Sequence, residues 1–500
     1  MSDEVRLRYP GLVVFASKLI SVGTGLIFIL MVTRSLTIEE FGIYGNLGDI
    51  LGYFSLPATI IPFWVTRFTA RKHPGSPKTG LIANLMMSAL FTFVYLTLLP
   101  VIMSALQIPY SYMTVYAILS IQIIEIYTFH VLEAILRARR PQAVGYGLLV
   151  FESLKVFFGF IFIFRLGLGI FGAIISVILA YMVQIIFYLK LIIHELRERI
   201  RWSYIREWLK ASLLNIYFII GDRLRVFILV LLFVYGGELA RAYYGAAATI
   251  TSVISYSSFL AFSLYPRLLS RESGDGSEDV YSSFKLVFMF SIPMTIGAII
   301  LSDSYLAILK LAYVAARPIM IILAIHQLLV CISSILTSIV TGTERLDAEA
   351  KISYRDLIRS RLFLIFTLPY IHASITIPLT YISLTSIVKD AIEAAIYMTL
   401  INTVATAIML SFRYRIARSS LRFSFPFRSM AKYTLASVAM ALPLYFIPHP
   451  VRLSATIALT ILGGAIYMLV LATIDEETRK LVRMLIDEGL SILSLKPLKN

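Results

Sequence analysis

The chain is poor in cysteine, histidine, tryptophan and charge, and these shortages exclude whole classes of protein. Cys331 is the sole cysteine, so no intramolecular disulfide and no cysteine metal cage can form. The six histidines are scattered too far apart to make a ligand cluster. Charged residues make up only 15% of the 500, apolar ones 59%, and mean hydropathy is +0.84. Globular domains carry about a quarter charged and about half apolar residues, so a soluble fold is excluded. There is no phosphate loop, nucleophile motif, metal signature or Asp-x-Asp motif for a sugar-nucleotide metal, and no cofactor is called for.

What is present is a succession of long apolar runs, each near the twenty or so residues that a helix needs to cross the hydrocarbon layer. They lie at 11–32, 41–65, 80–106, 112–136, 143–164, 167–189, 211–235, 243–264, 284–300, 319–340, 362–384, 394–411, 433–447 and 453–472. The expected fold is all-α: a polytopic membrane protein of about 14 transmembrane helices. The run at 433–447 is short and suits a hairpin with its neighbour. The first run follows a charged leader, contains Lys18 and lacks a small-residue cleavage site, so it reads as a retained anchor and not a signal peptide.

The net charge of +16 needs a partner or a location. Taking alternate connections, about 33 Lys and Arg fall on one side and about 7 on the other, Arg34, Arg165 and Arg241 among the latter. Cytoplasmic loops carry this excess, so the expectation is a multi-pass protein of the cell membrane with both termini in the cytoplasm. Nucleic acid need not be invoked. The stretches 196–210 and 476–495 mix basic residues with apolar ones, Trp202 and Trp208 among them, and read as helices lying on the membrane. No external connection is large enough for a catalytic domain, and the longest, at 303–318, is itself largely apolar.

An internal repeat is visible. Tyr44-Gly45 and Tyr244-Gly245 stand 200 residues apart in the second and eighth spans, and Arg67 and Arg267 share the offset. Each repeat holds six spans, an even number, which implies an axis along the membrane normal and two pseudo-symmetric six-helix lobes around a central cavity. The expected organisation is an N-lobe at 1–194, a basic amphipathic connector at 195–210, a C-lobe at 211–411, two further helices at 412–474, and a cytoplasmic amphipathic tail at 475–500.

Charges at membrane depth are costly and usually face a cavity or a partner. Lys18 shares a face with Ser21 and Gly25; Asn46, Asp49 and Tyr53 align in the second span; Gln122, Glu125 and Glu133 align in the fourth. Glu152 and Lys155 mark the fifth span, and Asn215, Asp222, Arg223 and Arg225 the seventh. Glu152 with Lys155 and Asp222 with Arg225 are also spaced to pair locally. A cleft presenting Lys18, Lys155, Asn215, Arg223 and Arg225 would bind an anion, arginine suiting phosphate through its planar fork. Asp49, Glu125, Glu152 and Asp222 are the candidates for coupling to an ion, Na+ or H+. His130, His326 and His372 read as packed or hydrogen-bonded. Pro57, Pro62, Pro369 and Pro378 interrupt spans; simple kinks are expected, with hinges or broken helices as the alternative.

The stretch Thr33-Arg34-Ser35-Leu36-Thr37-Ile38-Glu39-Glu40-Phe41-Gly42-Ile43-Tyr44 resembles the first external loop of polysaccharide-biosynthesis flippases. Tyr217 to Leu224, Tyr244 to Ala247 and Leu264-Tyr265-Pro266-Arg267 resemble the O-antigen and lipid-linked oligosaccharide exporters of the multidrug/oligosaccharidyl-lipid/polysaccharide superfamily. About a quarter of the chain carries the detailed likeness. The resemblance implies movement of a polyprenyl-linked oligosaccharide to the outer leaflet by two six-helix lobes with two helices beyond them. It also implies a cationic cavity, matched here in type and depth by Lys18, Arg223 and Arg225, with glycan polymerases or glycosyltransferases as candidate partners. The family's acidic residues have no secure counterpart. A cation-coupled exporter of drugs or metabolites is the closest rival reading; a membrane-embedded glycosyltransferase or polymerase lacks the external loops it needs, and an envelope scaffold leaves the midplane charges unexplained.

Overall fold

A computed structural model describes residues 3–261, 276–343 and 360–476, together with the single positions 264, 268, 478 and 479. Every regular element among the described residues is helical. This follows from the composition, since in lipid each backbone N–H and C=O must find its partner within the chain.

The helices are α1 (Asp3–Ser35), α2 (Ile38–Phe54), α3 (Ile60–Ala70), α4 (Ser76–Ala105), α5 (Met113–Arg139), α6 (Gln142–Gly159), α7 (Gly169–Ile192), α8 (Trp202–Ala211) and α9 (Leu213–Val226). They continue with α10 (Ile228–Ser255), α11 (Ser277–Ile300), α12 (Ser302–Leu309), α13 (Arg317–Thr343), α14 (Arg361–Ser386), α15 (Ala391–Ser420), α16 (Phe427–Phe446) and α17 (Leu453–Ile474). Nine helices among the described residues are long and apolar enough to cross a membrane. The other five expected spans fall on α1, on α2 with α3, on α9 with the start of α10, on the rest of α10, and on α16. The fold is thus the polytopic all-α membrane architecture expected from hydropathy.

Local chemistry explains where spans begin and break. Thr37 closes a capping box: its hydroxyl accepts from the Glu40 N–H at 3.1 Å, and its own N–H donates to the Glu40 carboxylate at 2.9 Å. The acidic pair of the flippase-like loop therefore serves the start of α2. The second span is not merely kinked. It breaks into a short tight turn at Leu56–Thr59, because Pro57 has no N–H to continue the ladder. Pro369 and Pro378, by contrast, lie inside the uninterrupted α14. Gly237, at φ +81° and ψ 174°, takes the left-handed backbone that separates the seventh span from the eighth. The thirteenth span begins earlier than hydropathy suggested, and its 20 residues reach about 30 Å.

Contacts divide the chain into two compact units, Met1–Gly245 with Pro369–Ala395, and Ala246–Leu368 with Ile396–Asn500. In the first, Ile61, Val65, Val131, Ile135 and Tyr188 form a buried core closed by Trp208, which is fully buried. The Tyr370 hydroxyl donates to the Tyr217 carbonyl at 2.6 Å, with the two rings stacked at 4.5 Å, which secures α14 beside α9. In the second, Phe284 and Phe288 pack on Phe425, and the Tyr467 hydroxyl donates to the Met289 carbonyl at 2.6 Å. Cys331 is buried there. The tail from 480 on, and Arg267 of the repeat, lie outside the described residues.

Lys432, near the start of α16, meets Asp475, at the end of α17, at 2.9 Å. Burial by itself would raise the Asp475 carboxyl, but hydrogen bonds from Lys432 and Thr478, with the lysine's charge, hold it below the ordinary carboxylate value. A group depressed in this way contributes stability above its unfolded-state value of about 3.9, and loses it as pH falls through the folded value. The gap in thermal midpoint between wild type and Asp475→Asn is expected at neutral pH and should close in acid. A gap that persists unchanged into acid would contradict the assignment.

Candidate functional site

The face of α2 that carries Gly45, Asp49, Gly52 and Tyr53 gathers one acid and two arginines from the first unit. Glycines seven residues apart leave room for two guanidinium groups. A Cβ at Gly45 would stand 2.8 Å from an Arg241 nitrogen, and one at Gly52 2.7 Å from an Arg223 nitrogen. Between them Asp49 accepts a bidentate pair from Arg241, at 2.7 and 3.0 Å, and Arg241 also donates to the Gly45 carbonyl at 3.1 Å. Arg241 is 8% exposed and lies over the Tyr244 ring at 5.8 Å. A Cβ at Gly245 would likewise stand 3.2 Å from an Arg241 nitrogen, so the two Tyr-Gly pairs of the repeat both border one arginine.

Arg241 counts among the external basic residues by sequence. Its signal was present all the same: a single acid deep in a span calls for a cation from another helix. Asp49, a candidate for ion coupling, is therefore already neutralised from within the chain. Asn46, on the same helix, accepts from the Tyr116 hydroxyl at 2.6 Å and serves packing against α5.

In the seventh span, Arg225 donates to Asp222 at 2.9 Å, the local pair that their spacing allowed, with both side chains partly exposed. Arg223 sits between, its carbonyl accepting from the Tyr53 hydroxyl at 3.4 Å and its guanidinium against Gly52. Among the described residues Arg223 forms no ion pair. Asn215 is on α9, but its side chain lies outside the described residues.

A second cluster joins α1 to α6. Lys155 touches both oxygens of Glu152, at 3.0 and 2.8 Å, and Thr24 donates to Glu152 at 2.7 Å. The ammonium lies over the rings of Phe28 and Phe151, at 5.5 and 5.0 Å. Lys18 is exposed on α1, almost two turns before Thr24. Glu125 is 4% exposed on α5, and neither of its carboxyl oxygens has a hydrogen-bond partner among the described residues. The structure thus draws Lys155 to Glu152, Arg225 to Asp222, and Arg223 to the α2 face. His326 is hydrogen-bonded, Nε2 lying 3.3 Å from Asn402 and from Thr406, and no group of His, Cys, Asp or Glu among the described residues could hold a metal.

Solved structures share this architecture. The chain matches the lipid II flippase MurJ, in an inward closed conformation, with a TM-score of 0.63 and 15% identity, over 95% of this chain and 99% of that one. The fold is that of the MOP-superfamily transporters. An inward-facing multidrug resistance MATE family transporter of that superfamily matches at a TM-score of 0.58 and 13% identity, over 80% of this chain and 95% of that one. A MATE structure in complex with MaL6 matches at 0.54 and 14%, over 83% and 96%. No family model and no curated protein matches the sequence. At such identities it is the MOP fold that is shared, and the residues around Arg223 and Arg241 must be interpreted from their own geometry.

Proposed function

We propose that this MOP-fold chain is a transporter and not an enzyme: a flippase that moves a polyprenyl-(pyro)phosphate-linked oligosaccharide from the cytoplasmic to the outer leaflet of the cell membrane by alternating access. It would serve surface polysaccharide or glycoprotein biosynthesis. One observation carries the reading. The likeness to a lipid II flippase spans 95% of the chain, whereas the MATE likenesses reach 80% and 83%. The helices beyond the expected twelve-span repeat are thus part of what the chain has in common with a lipid carrier.

The chemistry agrees. Arg223, without an ion pair among the described residues, is the guanidinium best placed to take a phosphate oxygen, with Lys18, Lys155, Arg225 and Asn215 as supporting polar groups. The prenyl tail would remain in lipid. The test is reconstitution into liposomes with labelled lipid-linked oligosaccharide, read as outer-leaflet accessibility with and without an ion gradient. Protein-dependent exposure of the headgroup supports the reading; exposure equal to that of empty liposomes overturns it.

Glu125 favours a second reading, since a buried carboxyl without a described partner suits a cation-coupled exporter of drugs or metabolites. In the same liposomes that reading requires gradient-driven movement of a small cationic substrate, with Glu125→Gln abolishing it.

A further inference from the structure

Two basic segments that are separate in sequence are stitched together at one end of the first unit. The turn between α3 and α4 presents exposed Arg71, Lys72 and His73, and the segment that leads from α7 into α8 presents exposed Arg197, Arg199 and Arg201. Main-chain bonds hold them in register. The Gly75 N–H donates to the Glu198 carboxylate, and the Arg201 N–H donates to the Thr79 hydroxyl at 2.9 Å. Gly75, at φ +77°, has the Arg199 carbonyl where a Cβ would stand, so the approach requires glycine. Arg139 donates to Glu195 at 3.3 Å and ties the same segment to α5. Beneath, Phe68 packs edge-on to Tyr204 at 5.1 Å and to Trp208 at 5.4 Å, with His73 against Phe68 at 4.8 Å.

One side of α8 is therefore anchored by the fully buried Trp208, while Trp202 and Leu209 remain 57% and 42% exposed on its other side, next to the arginines. We propose that this composite patch is a docking site for the headgroups of anionic phospholipids in the adjoining leaflet. Arginine forks match phosphate oxygens in pairs, and exposed Trp202 and Leu209 suit the acyl border just beneath the headgroups. Cations spread over a free loop would be averaged by motion. Here the backbone that bears them is pinned at Gly75 and Thr79, so the patch is preorganised. The site stands independently of which substrate is carried.

The test uses the full chain in nanodiscs of zwitterionic phosphatidylcholine mixed with either chain-brominated phosphatidylglycerol or chain-brominated phosphatidylcholine, read by tryptophan quenching. The chain's own tryptophans are Trp64, Trp202 and Trp208, and the difference between wild type and Trp202→Phe isolates the signal of Trp202. The brominated anionic lipid is expected to quench Trp202 more than the zwitterionic one. Salt should reduce the excess. Arg199→Gln with Arg201→Gln should at least halve it, because these changes leave the main-chain pins intact. Arg415→Gln with Arg422→Gln, exposed on the second unit, should leave it unchanged. Equal quenching by both lipids overturns the proposal. So does an equal loss in the control pair, which would assign the effect to leaflet charge at large. Displacement by a soluble short-chain prenyl diphosphate, but not by unbrominated phosphatidylglycerol, would hand the patch to another ligand and overturn it as well.

Discussion

Asp49→Ala is expected to destabilise the protein by about 3–5 kcal/mol, the largest stability effect of any single substitution considered. The magnitude comes from what is left behind more than from what is removed. Arg241 is 8% exposed and cannot lose its proton, so without Asp49 it keeps a full charge supported by the Gly45 carbonyl and the Tyr244 ring, with no second carboxylate paired to it among the described residues. Asp49→Asn should cost less, since an amide oxygen still accepts one bond. The double change Asp49→Leu with Arg241→Met should recover most of the loss, because a buried ion pair contributes little beyond a well-packed apolar pair. Thermal midpoints in detergent micelles read all three. An unchanged midpoint in Asp49→Ala would remove the ion pair from the account of what holds α2 to α10.

Arg223→Ala is expected to have the largest effect on transport. Removing one partner of a desolvated charged contact costs about 2–5 kcal/mol. Since about 1.4 kcal/mol is a factor of ten, the rate should fall roughly thirtyfold or more. Arg223→Lys keeps the charge but loses the planar fork, and should recover only part of the activity. The fold should tolerate the change, since the contact from Tyr53 goes to the Arg223 main chain and survives it. Initial rates in the liposome assay, at equal reconstituted protein and equal thermal midpoint, decide the matter. Wild-type rates in Arg223→Ala would move the phosphate contact elsewhere, with Lys18 the next residue to replace.

Several features of the site were legible in the chain before any helix was placed against another. The pairs Glu152 with Lys155 and Asp222 with Arg225 follow from i, i+3 spacing, and both are formed. The two Tyr-Gly pairs stood out in the sequence only as an internal repeat; that both glycines border the side chain of Arg241 is a matter of packing. Arg241 itself was hidden by its place at a span boundary, where a basic residue ordinarily reports orientation. Pro57 and Pro369 make the same point for the backbone: both are prolines within apolar runs, yet one sits in a break and the other in a continuous helix. Local sequence does not distinguish them, because neighbouring helices decide whether the freed carbonyl finds another partner.

By itself the sequence determined that this is an all-helical, many-span membrane protein, because hydropathy and span length are sums over single segments and need no knowledge of neighbours. Only the tertiary structure decided which charges are paired between distant segments. Asp49 and Arg241 are 192 residues apart, and Glu198 and Gly75 are 123 apart. Pairing at such separations depends on which helices lie side by side and on where a glycine lets a guanidinium come close. That information resides in packing, and it is packing that leaves Arg223 as the cation to test.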